Sequence, residues 1–265
     1  MDKYADLLNR VRERNPLVHQ ITNYVTVNDC ANITICIGAS PVMSHAPEDV
    51  VDMVKIADAL VLNIGTLDEK QIEGMLIAGK EAGRRNIPII VDPVGAGATP
   101  YRSQTVYEFM DKLPIKILKG NAGEIGTIAG ASAKVRGVDS GEFCGDLKKT
   151  VMDLAKETGV TVVISGAEDI ISDGQRVAGV SNGVPLMGKV SGTGCMATAV
   201  CGAFAAAADN NFDACVSAMA YLGIAGEEAA KKSSAPGTFK PLFLDAVYNL
   251  SDELFMKSAK VTEYK

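Results

Sequence analysis

The chain has 265 residues, 47% of them hydrophobic and 22% charged, enough for a sizeable core in one domain or two small ones. The net charge is −6 and the Lys and Arg residues are scattered, which leaves no basic footprint for nucleic acid or an anionic membrane. Six cysteines without a CxxC pair, and only two histidines, argue against a zinc site or a disulfide framework.

The first residues, MDKYADLLNRVRERN, are charged and amphipathic and lack an apolar signal-peptide core. No charge-free apolar run reaches the ~18 residues of a membrane span, so a cytoplasmic protein is expected. Segment 15–50 is dense in polar groups among apolar ones. Asn23, Asn28 and Asn32, spaced by five and four, suit one helix face. Met43 follows Ser40-Pro41-Val42 and is either core filler or a soft contact for a small ring. His19 reads as a hydrogen-bonded structural histidine.

Four strands then stand out: ALVLNIG (59–65), PIIVDPVG (88–95), IKILKGN (115–121) and TVVISG (161–166). Each is a near-continuous apolar run, as expected of strands buried on both faces of a parallel sheet. Helical patterns over 68–86, 101–112, 122–130 and 140–158 alternate with them, the βαβ rhythm of a doubly wound fold. After residue 166, Asp173-Gly174 and Asn182-Gly183 signal turns between antiparallel strands. Helices are expected over 194–208, 212–231 and 241–257. With no linker or repeat, the chain reads as one domain, 1–265.

Ligands in such folds lie beyond the carboxyl ends of the strands. The residues there are Asn63 and Gly65, 92–97, 119–124, Ser165-Gly166, and the turn VSGTGC (190–195). Gly192-Thr-Gly194-Cys195 opens a small-residue helix. It is either a plain tight turn or a ring of N–H donors for an anion such as a transferring phosphoryl group. Cys195 in the first helical turn is either a small inert core residue or a base with a lowered pKa. GVPLMGKV just upstream resembles a phosphate loop, but Val190 stands where a Mg²⁺-binding hydroxyl is needed. Asp92 is a turn aspartate or a Mg²⁺ and polyphosphate ligand. Asn121 and Glu124 have capping-box spacing, and they also suit Mg²⁺ and water. Lys119 at a buried strand end is not explained by capping and suits a phosphate. Ser165 offers a hydroxyl at a strand end.

Seven stretches occur in family order: NPLVHQITNYVTVNDCAN, GASPVMSHAPEDV, ALVLNIGTL, PIIVDPVGAGATPYR, LKGNAGEI, ISGAEDII and KVSGTGC. Together they resemble the hydroxyethylthiazole kinases, a family of the ribokinase-like superfamily. The resemblance implies a mostly parallel sheet with helices on both faces and no lid. It implies ATP-dependent phosphorylation of the primary hydroxyl of 4-methyl-5-(2-hydroxyethyl)thiazole, for thiamine, with Mg²⁺ as the metal. It also implies a homotrimer with sites at subunit interfaces. By position, Met43, Asn23 and Gly192 would meet the thiazole. Lys119, where relatives often carry Arg, would meet ATP with Ser165 and Asn121. Asp92 and Glu124 match acidic Mg²⁺-organising positions, and Gly192 and Gly194 the anion-hole turn. Cys195 takes the position of the superfamily's catalytic aspartate, where hydroxyethylthiazole kinases characteristically carry cysteine. Kinases of other small alcohols and ATP-dependent dehydratases of the same fold normally have Asp there.

Overall fold

In a computed structural model, which describes residues 1–130 and 146–264, strand β3 (Ala59–Asn63) shows why the apolar runs do not alternate. Ala59 and Val61 enter one core, while Leu60 and Leu62 enter another on the opposite face. A strand covered on both sides has no solvent face to make polar. β4 (Ile89–Asp92), β5 (Ile117–Asn121) and β6 (Thr161–Ser165) follow the same logic and pair parallel in that order. All four expected strands are therefore present, trimmed at their ends.

Two parallel strands lie where no strand was expected. β1 (Leu17–Ile21) pairs with β3, and the three-residue β2 (Ser40–Val42) pairs with β1 at the sheet edge. The chain passes from β1 outward to β2 and then back across to β3, giving the order β2-β1-β3-β4-β5-β6. The direction of winding reverses between β1 and β3, and such a switch point opens a crevice at the carboxyl ends. Beyond β6 the sheet becomes antiparallel through β7 (Asp169–Ser172), β8 (Val177–Val180) and β9 (Val261–Tyr264). Asp173-Gly174 makes the β7–β8 turn, with Gly174 at φ 85°.

One face of the sheet carries α1 (Asp2–Arg14), α2 (Val27–Ile37), α8 (Thr193–Ala207) and α9 (Asn211–Ala230). α10 (Pro236–Tyr248) and α11 (Asp252–Ser258) pack outside them. The other face carries α3 (Val50–Ile56), α4 (Glu69–Arg85), α5 (Pro100–Lys112), α6 (Ala122–Ile128) and α7 (Leu147–Thr158). α8 lies close against the sheet centre because Gly202 faces it: a Cβ there would stand 2.7 Å from a Val61 methyl. Among the described residues no helix is long and apolar enough to cross a membrane.

Three expectations change. The helix pattern at 241–257 is two helices, α10 and α11, because Ser251 caps the second by accepting from Leu254 N. Asn182-Gly183 does not turn into another strand. Asn182 instead donates to Glu227 and Ser258 O and accepts from Lys260 N, so the C-terminal strand β9 fills the place beside β8. Asn23 shares no helix face with Asn28 and Asn32: it precedes α2, whose first residue is Val27. Residues 140–145 of the expected helix over 140–158, and Cys144, lie outside the described residues.

Candidate active site

The strand order sets out the polar residues of the carboxyl ends in a row. Met43 follows β2 and Asn23 follows β1. Asn63 ends β3, Asp92 ends β4, Asn121 ends β5 and Ser165 ends β6. Register holds adjacent members level, with Asn63 opposite Asp92 and Asn121 opposite Ser165. Asn23, Asn63 and Asp92 are each at most 4% exposed.

Buried polar groups must find partners, and here they find one another. Asn23 Nδ2 donates to Asn63 Oδ1 at 2.9 Å and to Cys195 Sγ at 3.4 Å. Asn63 Nδ2 donates to Asp92 Oδ2 at 2.8 Å. Thr198 Oγ1 stands 2.7 Å from the same carboxylate oxygen and 3.1 Å from Gly194 O, one turn back in α8. Asn23 Oδ1 accepts from Thr26 N and Thr26 Oγ1. The sequence brought Asn23, Asp92 and Cys195 forward separately; the structure joins them through Asn63.

The turn before α8 is open. Its N-cap, Gly192, has φ 90°, and no side chain caps the helix. The first intrahelical bond is Met196 N to Gly192 O. Among the described residues no group accepts from the N–H groups of Thr193, Gly194 or Cys195. Three donors at a helix start, aided by the helix dipole, make a seat for an anion. Glycine is required at 192 by its positive φ and by Thr26, whose methyl would lie 2.6 Å from a Cβ.

Lys119 is 1% exposed, and its Nζ donates to Gly194 O at 3.1 Å. The ammonium therefore braces the turn from beneath. Burial pulls its pKa down, but the net direction is up, led by the charge of Asp92. Asp92 is itself pushed up by burial, against the pull of Lys119 and its bonds to Thr198 and Asn63. A raised Lys119 requires a charged Asp92 beside it, so the pair is read as ammonium and carboxylate.

Cys195 departs from the lowered pKa expected of a helix N-terminus. Burial and the charge of Asp92 push its thiol up, beyond what its bonds to Thr26, Asn63 and Asn23 recover. Desolvation and a like charge outweigh the helix dipole here. The group at neutral pH is a thiol.

The turn after β5 is built the opposite way. Asn121 Oδ1 accepts from Glu124 N, and Glu124 Oε2 accepts from Asn121 N, a complete capping box. Glu124 Oε1 also accepts from Gly95 N at 2.8 Å. Burial and the Asp92 charge push Glu124 up to about 7. Ser165 Oγ donates to Gly120 O at 3.3 Å. Met43 is half-buried against the core, and His19 is buried with Nε2 bonded to Ser44 O.

Mg²⁺ keeps several waters and takes one or two carboxylates plus substrate phosphates. Among the described residues no cluster of acidic, His or Cys groups is dense enough to hold a metal alone. Asp92 fits a nucleotide-borne Mg²⁺, because Oδ2 is held and Oδ1 takes no hydrogen bond among the described residues. Glu124 fits only through water, since both its oxygens hold backbone N–H groups.

Three residues here carried no role in the sequence reading. Asn63 stood at a strand end, the position that marks it. Thr198 lies four residues after Gly194, on the same helix face. Arg102 donates to Ile64 O, Val94 O and Gly65 O, tying two of the site loops together. A lone arginine in a helix gives no sign of that in sequence.

A doubly wound sheet with this polar row, and an open glycine turn at the start of a buried helix, defines a small-molecule kinase of the ribokinase-like class. The fold matches Staphylococcus aureus pyridoxal kinase in complex with pyridoxal, with a TM-score of 0.65 at 16% identity, over 94% of this chain and 97% of that one. More specifically, the chain belongs to the hydroxyethylthiazole kinase family, matched over residues 8–253. It is 71% identical to a hydroxyethylthiazole kinase of Methanocorpusculum labreanum over the whole of both chains. It is 54% identical to one of Methanocella arvoryzae over 97% of each. The structure of a hydroxyethylthiazole kinase protein from Pyrococcus horikoshii OT3 matches with a TM-score of 0.92 at 40% identity, covering both chains fully.

Proposed function

We propose that this chain transfers the γ-phosphoryl group of ATP to the primary hydroxyl of 4-methyl-5-(2-hydroxyethyl)thiazole, in the supply of thiamine. The observation that carries the reading is the order of the row: Met43 and Asn23 at one side, Asp92 and the open α8 turn at the centre, Asn121 and Ser165 at the other. That is the order acceptor, transferring group, nucleotide.

Met43 and Asn23 hold the thiazole, with the backbone at Gly192 closing over it. The alcohol oxygen lies near the Asn23 amide and the Cys195 thiol. It attacks the γ-phosphorus in line as the bond to the β–γ bridging oxygen breaks; ADP leaves and the hydroxyl proton is released to solvent. The N–H groups of residues 193–195 take up charge on the transferring phosphoryl, and Lys119 adds a cation from below. Asn121 and Ser165 lie on the nucleotide side, and Lys119, buried beneath the turn, acts on ATP through the turn it braces. Asp92 would hold a nucleotide-borne Mg²⁺ and Glu124 would reach it through water, and the cation would supply neutralisation of phosphate charge. Positioning and electrostatics supply the rate, so a thiol in place of a strong base suffices.

The chain acts as one domain, 1–265, in the cytoplasm, and as a homotrimer with sites at subunit interfaces. Tyr24 and Val25, at 63% and 67% exposure directly after Asn23, support a partner surface at the rim of the site. Sedimentation is expected to give a trimer, and an active monomer would remove the shared site.

The deciding assay follows transfer of label from [γ-³²P]ATP to a panel of alcohols. The thiazole alcohol is expected to be preferred over hydroxymethylpyrimidine and pyridoxal. Preference for another alcohol, or no transfer, overturns the reading.

A further inference from the structure

The two halves of the site meet at Asn63, which is 1% exposed at the switch point between β1 and β3. The side-chain amide has two chemically different ends, and both are committed. Oδ1 accepts from Asn23 Nδ2 at 2.9 Å and from Gly65 N at 2.9 Å. Nδ2 donates to Asp92 Oδ2 at 2.8 Å. The partners dictate this orientation. A backbone N–H only donates, so the atom facing Gly65 is oxygen. An ionised carboxylate only accepts, so the atom facing Asp92 is nitrogen.

The polarity then passes outward in both directions. With Asn63 Oδ1 as acceptor, Asn23 must present its amide nitrogen, and Asn23 Oδ1 is left for Thr26 N and Oγ1. Asn23 Nδ2 is thereby also presented to Cys195 Sγ. On the other side, Asp92 Oδ2 is shared by Asn63 and Thr198, and Oδ1 takes no hydrogen bond among the described residues.

We propose that Asn63 is a positioning residue that sets the acceptor-alcohol side and the phosphoryl side of the site in one register. It fixes the Asn23 amide, whose two N–H groups go to Asn63 and to Cys195, and so sets Asn23 and the Cys195 sulfur beside the alcohol; it also holds one oxygen of Asp92, leaving the other for the phosphate-bound cation. The inference rests on the roles given above to Asn23 and Asp92. Misplacement of a reacting group by about 1 Å costs up to about a hundredfold in rate, and a buried polar network transmits such a shift between its members.

Two substitutions separate the two tasks. Asn63→Ala removes all three hydrogen bonds, to Asn23, Gly65 and Asp92. Asn63→Asp keeps the shape and an acceptor for Asn23 and Gly65, but it sets a second buried carboxylate against Asp92, so the two repel or share one proton and Asp92 no longer stands as the singly held carboxylate of the parent. The measurements are affinity for the thiazole alcohol by calorimetry without nucleotide or Mg²⁺, kcat, and the thermal midpoint. Asn63→Ala is expected to weaken thiazole binding about tenfold and lower kcat about tenfold or more. Asn63→Asp is expected to keep thiazole affinity within about twofold yet lose at least as much kcat. If the variants alter only the thermal midpoint, or lose thiazole affinity equally, the proposal is wrong. Asn23→Ala is the control. If it leaves thiazole affinity unchanged, the reading of the site fails and the proposal with it. If it weakens binding while Asn63→Ala does not, the proposal alone falls.

Discussion

The starts of α6 and α8 are both loop-to-helix turns at the active edge of the sheet, and they are finished in opposite ways. α6 closes on itself: Asn121 and Glu124 satisfy each other's backbone donors, and the second Glu124 oxygen takes Gly95 N. α8 has a glycine N-cap and, among the described residues, no side-chain cap and three N–H groups without an acceptor. The capping box takes Glu124 N and leaves the N–H groups of Ala122 and Gly123 without an acceptor among the described residues, whereas α8 has no such cap and leaves all three first-turn donors open to an anion. The carboxylates differ in the same sense. Glu124 is spent on backbone, while Asp92 is held by side chains at one oxygen only. On the proposed function, the α6 turn shapes the site and the α8 turn receives the transferring phosphoryl group.

The largest effect should come from disturbing the open turn. Gly192→Ala places a Cβ against Thr26 and asks alanine for φ 90°. The backbone strain is worth about 1–3 kcal/mol. Displacing the N–H donors is expected to lower kcat about 10²- to 10³-fold, the scale of losing an oxyanion-hole donor. Steady-state kinetics and thermal unfolding on one preparation test this. A kcat near that of the unsubstituted protein would mean that the α8 turn is structural, like its counterpart.

Much of this contrast was legible in the sequence, and its limits are physical. Strands β3 to β6 announced themselves because burial on both faces demands unbroken apolar residues. β1 and β2 did not, because His19, Gln20 and Ser40 put polar side chains into short strands. The capping box was visible as spacing, since its partners lie three residues apart. The link between Asn23, Asn63, Asp92 and Cys195 was not, since its members are brought together only by the strand order. Of the two readings of Cys195, a small inert core residue or a base with a lowered pKa, the upward shift favours the first; the sequence left them open because position in a helix is local, whereas burial and the nearness of Asp92 are tertiary.

A smaller effect is expected at the closed turn. Glu124→Gln leaves one acceptor oxygen for two backbone donors, and kcat should fall about tenfold, less than for Gly192→Ala. The pH dependence of stability sharpens the point. In the fold, Glu124 holds its proton up to about pH 7, against an ordinary value of 4.5. Between those values the folded chain binds more protons than the unfolded chain, so this group's contribution falls as pH rises. Without nucleotide or Mg²⁺, the parent protein should lose thermal stability relative to Glu124→Gln between about pH 4.5 and 7. A constant difference between the two melting curves would show that burial of this carboxylate carries no protonation cost.

The smallest effect is expected at Cys195. Its thiol is pushed up by burial and by Asp92, so little thiolate forms near neutrality, and the sulfur accepts a hydrogen bond from Asn23 instead. A group that positions the alcohol without taking its proton should be partly dispensable. Cys195→Ala is expected to lower kcat only a few-fold, by about 1 kcal/mol or less in the barrier. Cys195→Asp should retain or raise turnover, because a carboxylate there can both accept from Asn23 and take the proton. The ratio of parent to Cys195→Ala kcat across pH 6.5 to 8.5 separates the two roles. A positioning thiol gives a flat ratio. A base acting through its thiolate gives a ratio that climbs with pH as the thiolate fraction grows. With an inactive Cys195→Asp, such a climb would move the chemistry of the open turn from its backbone donors to the cysteine.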